Sequence, residues 1–314
     1  MRNVVKPRVI AAALALTALV SGSITIGVGS AQAAPGDALP ACAGVGAPRV
    51  LADQPGSVFE AATFDRRGRL LLSDWIGNRL DVIDRSGARP RLLSPVDSPG
   101  GLAPEPNGRV LVGSGVTGST LPVGATPARL VAVDPATGRT TVRASGLSGA
   151  NGVARGPDGT VYVSSAAASG IDRIRPDGHV DHGWYGATPA NGLAVSPDGK
   201  TLYANVSLGD TRIIAIDTRT AVGHTYFRPP AGLGWVFFDD LDIDRAGRLY
   251  LPTYLGGQVW RIDRNRTACV LATELLVPAG ITVGADGSGF SARNVYATTH
   301  AGRVVEIPGA IPRN

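Results

Sequence analysis

Four side chains that end in oxygen, Glu60, Asn151, Asn191 and Asp239, each stand eight residues before a glycine: Gly68, Gly159, Gly199 and Gly247. Two carboxylates and two carboxamides brought to one point would suit a hard divalent cation, Ca2+ first and Mg2+ next, while Zn2+ or Mn2+ could use the same oxygens. The competing explanation is local, since Asn-Gly and Asp-Asp also form and cap turns. Turn chemistry accounts for each residue alone. It gives no reason for a glutamate and an aspartate to share one offset, so the question is whether the fold carries these positions to a common place.

The glycines belong to a repeat. "FEAATFDRRGRLLLSDW", "GGLAPEPNGRVLVGSG", "ANGVARGPDGTVYVSSA", "ANGLAVSPDGKTLYANVS", "FDDLDIDRAGRLYLPTY" and "AGITVGADGSGFSARNVYATTH" each join an apolar run, a turn glycine and a β-rich run. Their glycines, Gly68, Gly108, Gly159, Gly199, Gly247 and Gly287, fall 40, 51, 40, 48 and 40 residues apart. Glycine at such a turn supplies positive φ. Most copies continue into a third run such as "RLVAVDPATG" and a fourth such as "TTVRAS". Four short strands per copy in six copies predict an all-β six-bladed β-propeller, with four-stranded antiparallel blades around a central channel. The segment "RVLADQPG" at 49–56 is expected to close the ring by joining the last blade.

In a propeller the first strand of each blade lines the channel, so the position eight before the turn glycine falls at the channel mouth. Read in order, that position holds Glu60, Gly100, Asn151, Asn191, Asp239 and Ala279. The second strand climbs back to the same mouth, which brings Asp74, Ser114, Asn205, Tyr254 and His300 into consideration. The other histidines, His179, His182 and His224, lack metal-ligand spacing. "DDLDID" fails as an EF-hand because Arg245 stands where the loop needs glycine and Leu251 where it needs a bidentate glutamate. Nucleophile elbows and phosphate loops are missing from the sequence.

Residues 1–33 read as a cleavable secretory signal: Arg2, Lys6 and Arg8 precede an apolar run that ends in the small-residue stretch "SAQAA". Residues 34–48 then form an N-terminal linker and 49–314 the propeller. Of 30 Lys+Arg against 25 Asp+Glu, three basic residues lie in the signal, leaving a net charge near +2 that points to neither nucleic acid nor membrane once the signal is gone. The two cysteines, Cys42 and Cys269, follow the signal in an exported chain, where an oxidising compartment permits a disulfide between them.

With Glu60, Asn191 and Asp239 placed on the blades, the chain resembles the gluconolactonase family that includes regucalcin, also called senescence marker protein. "ANGLAVSPDGKTLYANVS" and "FDDLDIDRAGRLYLPTYLGGQVWRID" carry the resemblance, which extends over roughly residues 57–306. It implies one divalent cation held by Glu60, Asn191 and Asp239, with Asn151 near substrate or cation-bound water. Two departures bear on the substrate: the first blade reads Glu60-Ala61-Ala62, and Asp240 replaces a glycine.

The expected activity is therefore hydrolysis of a lactone or related ester by a secreted monomer acting on a small molecule. Asp239, or failing it Asp74, is the candidate base; Asn151, Asp240, Tyr254 and His300 are the candidate substrate contacts. The rival expectation is a non-catalytic propeller that binds a carbohydrate or a protein, its cation structural.

Overall fold

A computed structural model describes residues 38–115, 128–166, 170–186, 188–207 and 209–313. The expected signal, 1–33, and the start of the linker lie outside the described residues. Twenty-four strands form six four-stranded antiparallel sheets, each built from strands consecutive in sequence except the last. Blade 1 begins at Phe59–Phe64, blade 2 at Leu102–Pro104, blade 3 at Val153–Arg155, blade 4 at Leu193–Val195, blade 5 at Asp242–Ile243 and blade 6 at Pro278–Val283. The last blade takes its outermost strand from the start of the propeller: Arg49–Asp53 pairs with Arg303–Ile307 and closes the ring, as the 49–56 segment led us to expect.

The core is divided into six apolar clusters, one between each pair of neighbouring blades. Trp260 and Leu249 of blade 5 pack with Ile213 and Ala194 of blade 4, and Phe59 and Leu70 of blade 1 pack with Tyr296 and Val304 of blade 6. Second strands are covered on both faces, so Leu70–Asp74 is buried throughout, whereas the outermost strand Thr140–Leu147 is mostly exposed. This burial explains why the second strands read as apolar runs and the outer ones do not. All six turn glycines have positive φ, from 70° at Gly68 to 133° at Gly287.

The N-terminal segment lies along the outer edge of blade 5, where Ala41 bridges Val270 in parallel fashion and Cys42 is bonded to Cys269. A covalent tie spanning 227 residues of sequence clamps the chain start to the ring.

Candidate functional site at the channel mouth

The residue following the mouth position is glycine in four blades: Gly101, Gly152, Gly192 and Gly280. A Cβ on Gly152 would lie 2.4 Å from the Asn191 carbonyl oxygen, and one on Gly192 2.4 Å from the Asp240 carbonyl carbon. Each Asn-Gly pair therefore has two duties. The asparagine presents a side chain to the mouth; the glycine lets the next blade approach backbone to backbone, and the Gly192 N–H donates to the Asp239 carbonyl at 2.9 Å. Second-strand side chains fasten the same ring: Ser73 Oγ donates to the Gly100 carbonyl at 2.6 Å and Thr298 Oγ1 to that of Phe59 at 2.9 Å. In blade 4 that place is held by Asn205, whose Nδ2 donates to the carbonyls of Asp239 and Asp240, both at 2.9 Å.

On this ring the offset residues meet. Asn191 Nδ2 donates to Asp239 Oδ1 at 2.7 Å, and Asn151 Nδ2 reaches Glu60 Oε1 at 3.4 Å, linking blade 3 to blade 1. The other oxygen of Glu60 lies 2.6 Å from His300 Nε2, and His300 Nδ1 lies 3.1 Å from the Tyr254 hydroxyl, the tautomer deciding which group donates. Blades 1, 3, 4, 5 and 6 thus each contribute a polar side chain, while blade 2 contributes Gly100.

Burial pushes the Asp239 carboxyl well above the usual carboxylate range, and the negative charges of Glu60 and then Asp240 add to the effect. The Tyr254 hydroxyl is raised by burial and by the same two acids, Asp239 and Glu60. Among the described residues, Glu60 has only His300 as an ion-pair partner, and Asp239 has no lysine or arginine beside it.

This donor set fits a divalent cation. Two buried carboxylates near enough to repel, with no fixed positive charge, are unstable as a pair of anions and would be relieved by one ion. The amides of Asn191 and Asn151 can present oxygen as readily as N–H, and the Oδ1 of buried Asn205 has no hydrogen-bond partner. No group of three or more His, Cys, Asp or Glu forms a cation cage among the described residues. The set is instead two acids completed by carboxamides, which leaves room for exchangeable ligands.

Two of the expected site residues are engaged within the scaffold. Asp74 does not join the cluster: its Oδ1 accepts from the Val58 N–H at 3.1 Å and the Gly77 N–H at 3.0 Å, and its Oδ2 pairs with Arg79 at 2.8 Å. It staples its own hairpin. Asp240 bridges blades, accepting from the Leu241 N–H at 2.8 Å and the blade-6 Ile281 N–H at 3.0 Å, while burial pushes its carboxyl up to about 8. Tyr254 and His300 stand at the mouth, where His300 contacts Glu60 and Tyr254 contacts His300. Asn151 stands beside Glu60.

The sequence reading passed over the aromatic rim. The Trp75 ring lies 5.9 Å from that of His300, and the Phe237 ring 5.8 Å from that of Tyr254. Phe237 has a φ of 55°, a left-handed conformation that costs a non-glycine residue roughly 1–2 kcal/mol. The carbonyls of Phe237 and Val236 accept from the N–H groups of Tyr254 and Leu255 at 2.8 and 3.1 Å, which fixes the loop against blade 5. For Trp235 and Phe237 the advance signal was composition, in the run "GLGWVFFDD".

Fold and site together define a six-bladed propeller with an acid-and-amide centre at its channel mouth. The profile of the SMP-30/Gluconolactonase/LRE-like region matches residues 58–300, and the chain belongs to that family. A gluconolactonase from Xanthomonas campestris is similar in structure at 19% identity, over 83% of this chain and 89% of that one, with a TM-score of 0.68. A calcium-binding regucalcin from Agrobacterium tumefaciens is 17% identical over 85% of this chain and 98% of its own, with a TM-score of 0.63. Virginiamycin B lyase from Staphylococcus aureus shares 15% identity over 81% and 82% of the two chains, with a TM-score of 0.56. Among curated proteins, none is similar enough to match.

Proposed function

We propose that this protein is an exported, divalent-cation-dependent hydrolase of lactones or related esters, with its site at the channel mouth. The observation that carries the reading is the buried Glu60 and Asp239 pair, flanked by Asn191 and Asn151 and, among the described residues, with no lysine or arginine paired to either acid. Membership of the family supports it, as does the gluconolactonase among the similar structures. The signal-like N-terminus and the Cys42–Cys269 bond support export.

Glu60, Asn191 and Asp239 would hold the cation, Ca2+ in the first instance. When bound, a divalent cation supplies Lewis-acid charge that polarises the lactone carbonyl and stabilises the oxyanion formed on attack. His300 and Tyr254 keep the Glu60 carboxylate in one orientation through the 2.6 and 3.1 Å contacts. Asn151, beside Glu60, would orient the lactone ring. The Asp239 carboxylate takes a proton from the attacking water and returns it to the departing ring oxygen, so the product is the open hydroxy acid.

The test is hydrolysis of a lactone panel by the mature protein with each divalent cation and with chelator, followed in a pH-stat. Turnover that chelator abolishes, and that Asp239→Ala lowers at least about a hundredfold, is the expected result. Full turnover by Asp239→Ala would overturn the assignment. Tight cation binding without turnover of any lactone or ester would instead make this a binding propeller.

A further inference from the structure

One side of the mouth is a wall of rings. Trp75, His300, Tyr254 and Phe237 form a continuous series with centroid separations of 5.9, 5.2 and 5.8 Å, and the His300 end touches Glu60. Beyond them the rim exposes Trp235 at 56%, Leu255 at 52% and Ile76 at 51%, on the loops that carry Phe237, Tyr254 and Trp75. The rim is pre-formed: the loop is pinned by the backbone bonds to Tyr254 and Leu255, and the Trp235 indole N–H donates to the Gly232 carbonyl at 3.0 Å.

The polar atoms of this wall matter as much as its rings. The Tyr254 hydroxyl and both nitrogens of His300 are already bonded within the protein, as is the Trp235 Nε1. A polyhydroxylated substituent laid here would give up more water than the few remaining hydrogen-bonding sites of the wall replace, which is unfavourable, whereas an apolar one would cover apolar surface. Charge points the same way where the wall meets the acid centre, because among the described residues no arginine or lysine pairs with Glu60 or Asp239. An anionic substituent would be repelled.

We propose that the preferred substrate is a lactone bearing an uncharged alkyl or aryl substituent, which lies along the Trp75–Tyr254–Phe237 wall and out to Trp235 and Leu255 while the ring sits at Glu60 and Asp239. The inference rests on the lactone-hydrolase reading and adds a substrate class to it. Subsites of this kind derive discrimination from area covered, so kcat/KM should climb by about threefold for each of the first few methylenes.

The experiment compares δ-valerolactone, its 5-alkyl homologues from methyl to pentyl, and glucono-δ-lactone, using the cation-loaded mature protein and the Trp235→Ala/Leu255→Ser variant. Expected is a rising chain-length series with the sugar lactone below its start, and a ratio of pentyl to unsubstituted kcat/KM that falls at least about tenfold in the variant. The matching δ-lactams, which resist hydrolysis, are titrated calorimetrically with both proteins. A flat series, or preference for the sugar lactone, overturns the inference while leaving the hydrolase reading in place. No turnover with lactam binding that still strengthens with chain length overturns the hydrolase reading and keeps the apolar subsite. Neither turnover nor lactam binding overturns both, and an unchanged chain-length ratio in the variant removes the rim from the subsite.

Discussion

Blade 2 and blade 5 hold the same place in the ring and meet their neighbours in opposite ways. At the mouth, blade 2 presents Gly100 and Gly101, with Gly113 opposite, and closes on blade 3 through bare backbone: a Cβ on Gly101 would lie 2.5 Å from the Val153 nitrogen, and one on Gly113 2.2 Å from the Ala150 carbonyl oxygen. Blade 5 presents Asp239 and Asp240, and where glycine would let blade 6 in, a carboxylate fills the gap and accepts from the Ile281 N–H. Asp242 repeats the device one step further along, accepting from the Val283 N–H at 2.7 Å. One seam is held by closeness and the other by side chains. Blade 2 has glycine at the mouth position as well as after it and so adds no side chain to the centre, whereas blades 3 and 4 keep an asparagine before the close-packed glycine and blade 5 keeps two acids.

The sharpest way to break this contrast is to add one carbon to blade 2. Gly113→Ala should cost about 3 kcal/mol in chemical denaturation, because the new Cβ meets backbone rather than a movable side chain. Asp239→Ala, which removes a buried carboxyl pushed well above its usual range, should leave the cation-free protein as stable as before or more so. The opposite order, a tolerant Gly113 and a protein unfolded by Asp239→Ala, would mean that the acids rather than the glycines hold the ring.

A smaller effect tests the chemical side. If the supports of the acid pair come from blades 5 and 6, His300→Ala should weaken cation binding by about 10-fold or more in calorimetry, and Tyr254→Phe by less, since outer contacts of a ligand tune rather than create affinity. Ser114→Ala in blade 2 should not change it, because the Ser114 hydroxyl donates to the Asp97 carbonyl at 2.9 Å and only braces its own blade. Equal losses from His300→Ala and Ser114→Ala would erase the distinction between the two regions.

The repeat made the ring legible: six glycine turns at regular spacing gave the blades, their number and the channel-facing offset, and the segment at 49–56 pointed to the closing strand, which spans Arg49–Asp53. Asn191, Asp239, Glu60 and Asn151 were readable because equivalent positions of a repeat must share surroundings, so unequal residues there stand out. Asp74 and Asp240 were ambiguous for the converse reason. An acid beside the mouth looks the same in sequence whether it faces the channel or binds backbone amides, and only the Val58, Gly77 and Ile281 N–H groups decide. Of the aromatic rim, Trp75 and Tyr254 end copies of the repeat, whereas Trp235 and Phe237 lie in the connection between blades 4 and 5, where no register exists to compare.

The smallest expected effect concerns the seam acids themselves. Burial raises the Asp242 carboxyl from 3.8 to about 6, against the pull of the Val283 and Ile243 N–H groups. A carboxyl raised on folding binds its proton more tightly in the folded chain, so its contribution is whole below about pH 4 and declines as pH climbs through about 6. Thermal unfolding of the chelator-treated protein should therefore show stability falling across that window. Asp242→Asn, which keeps an acceptor but cannot ionise, should flatten that part of the slope. Blade 2 offers the internal control, because the corresponding residue, Ala103, is buried and has nothing to titrate. A slope that survives intact in Asp242→Asn would place the titration elsewhere, and the acid at this seam would then do no more for the ring than Ala103 does for its own.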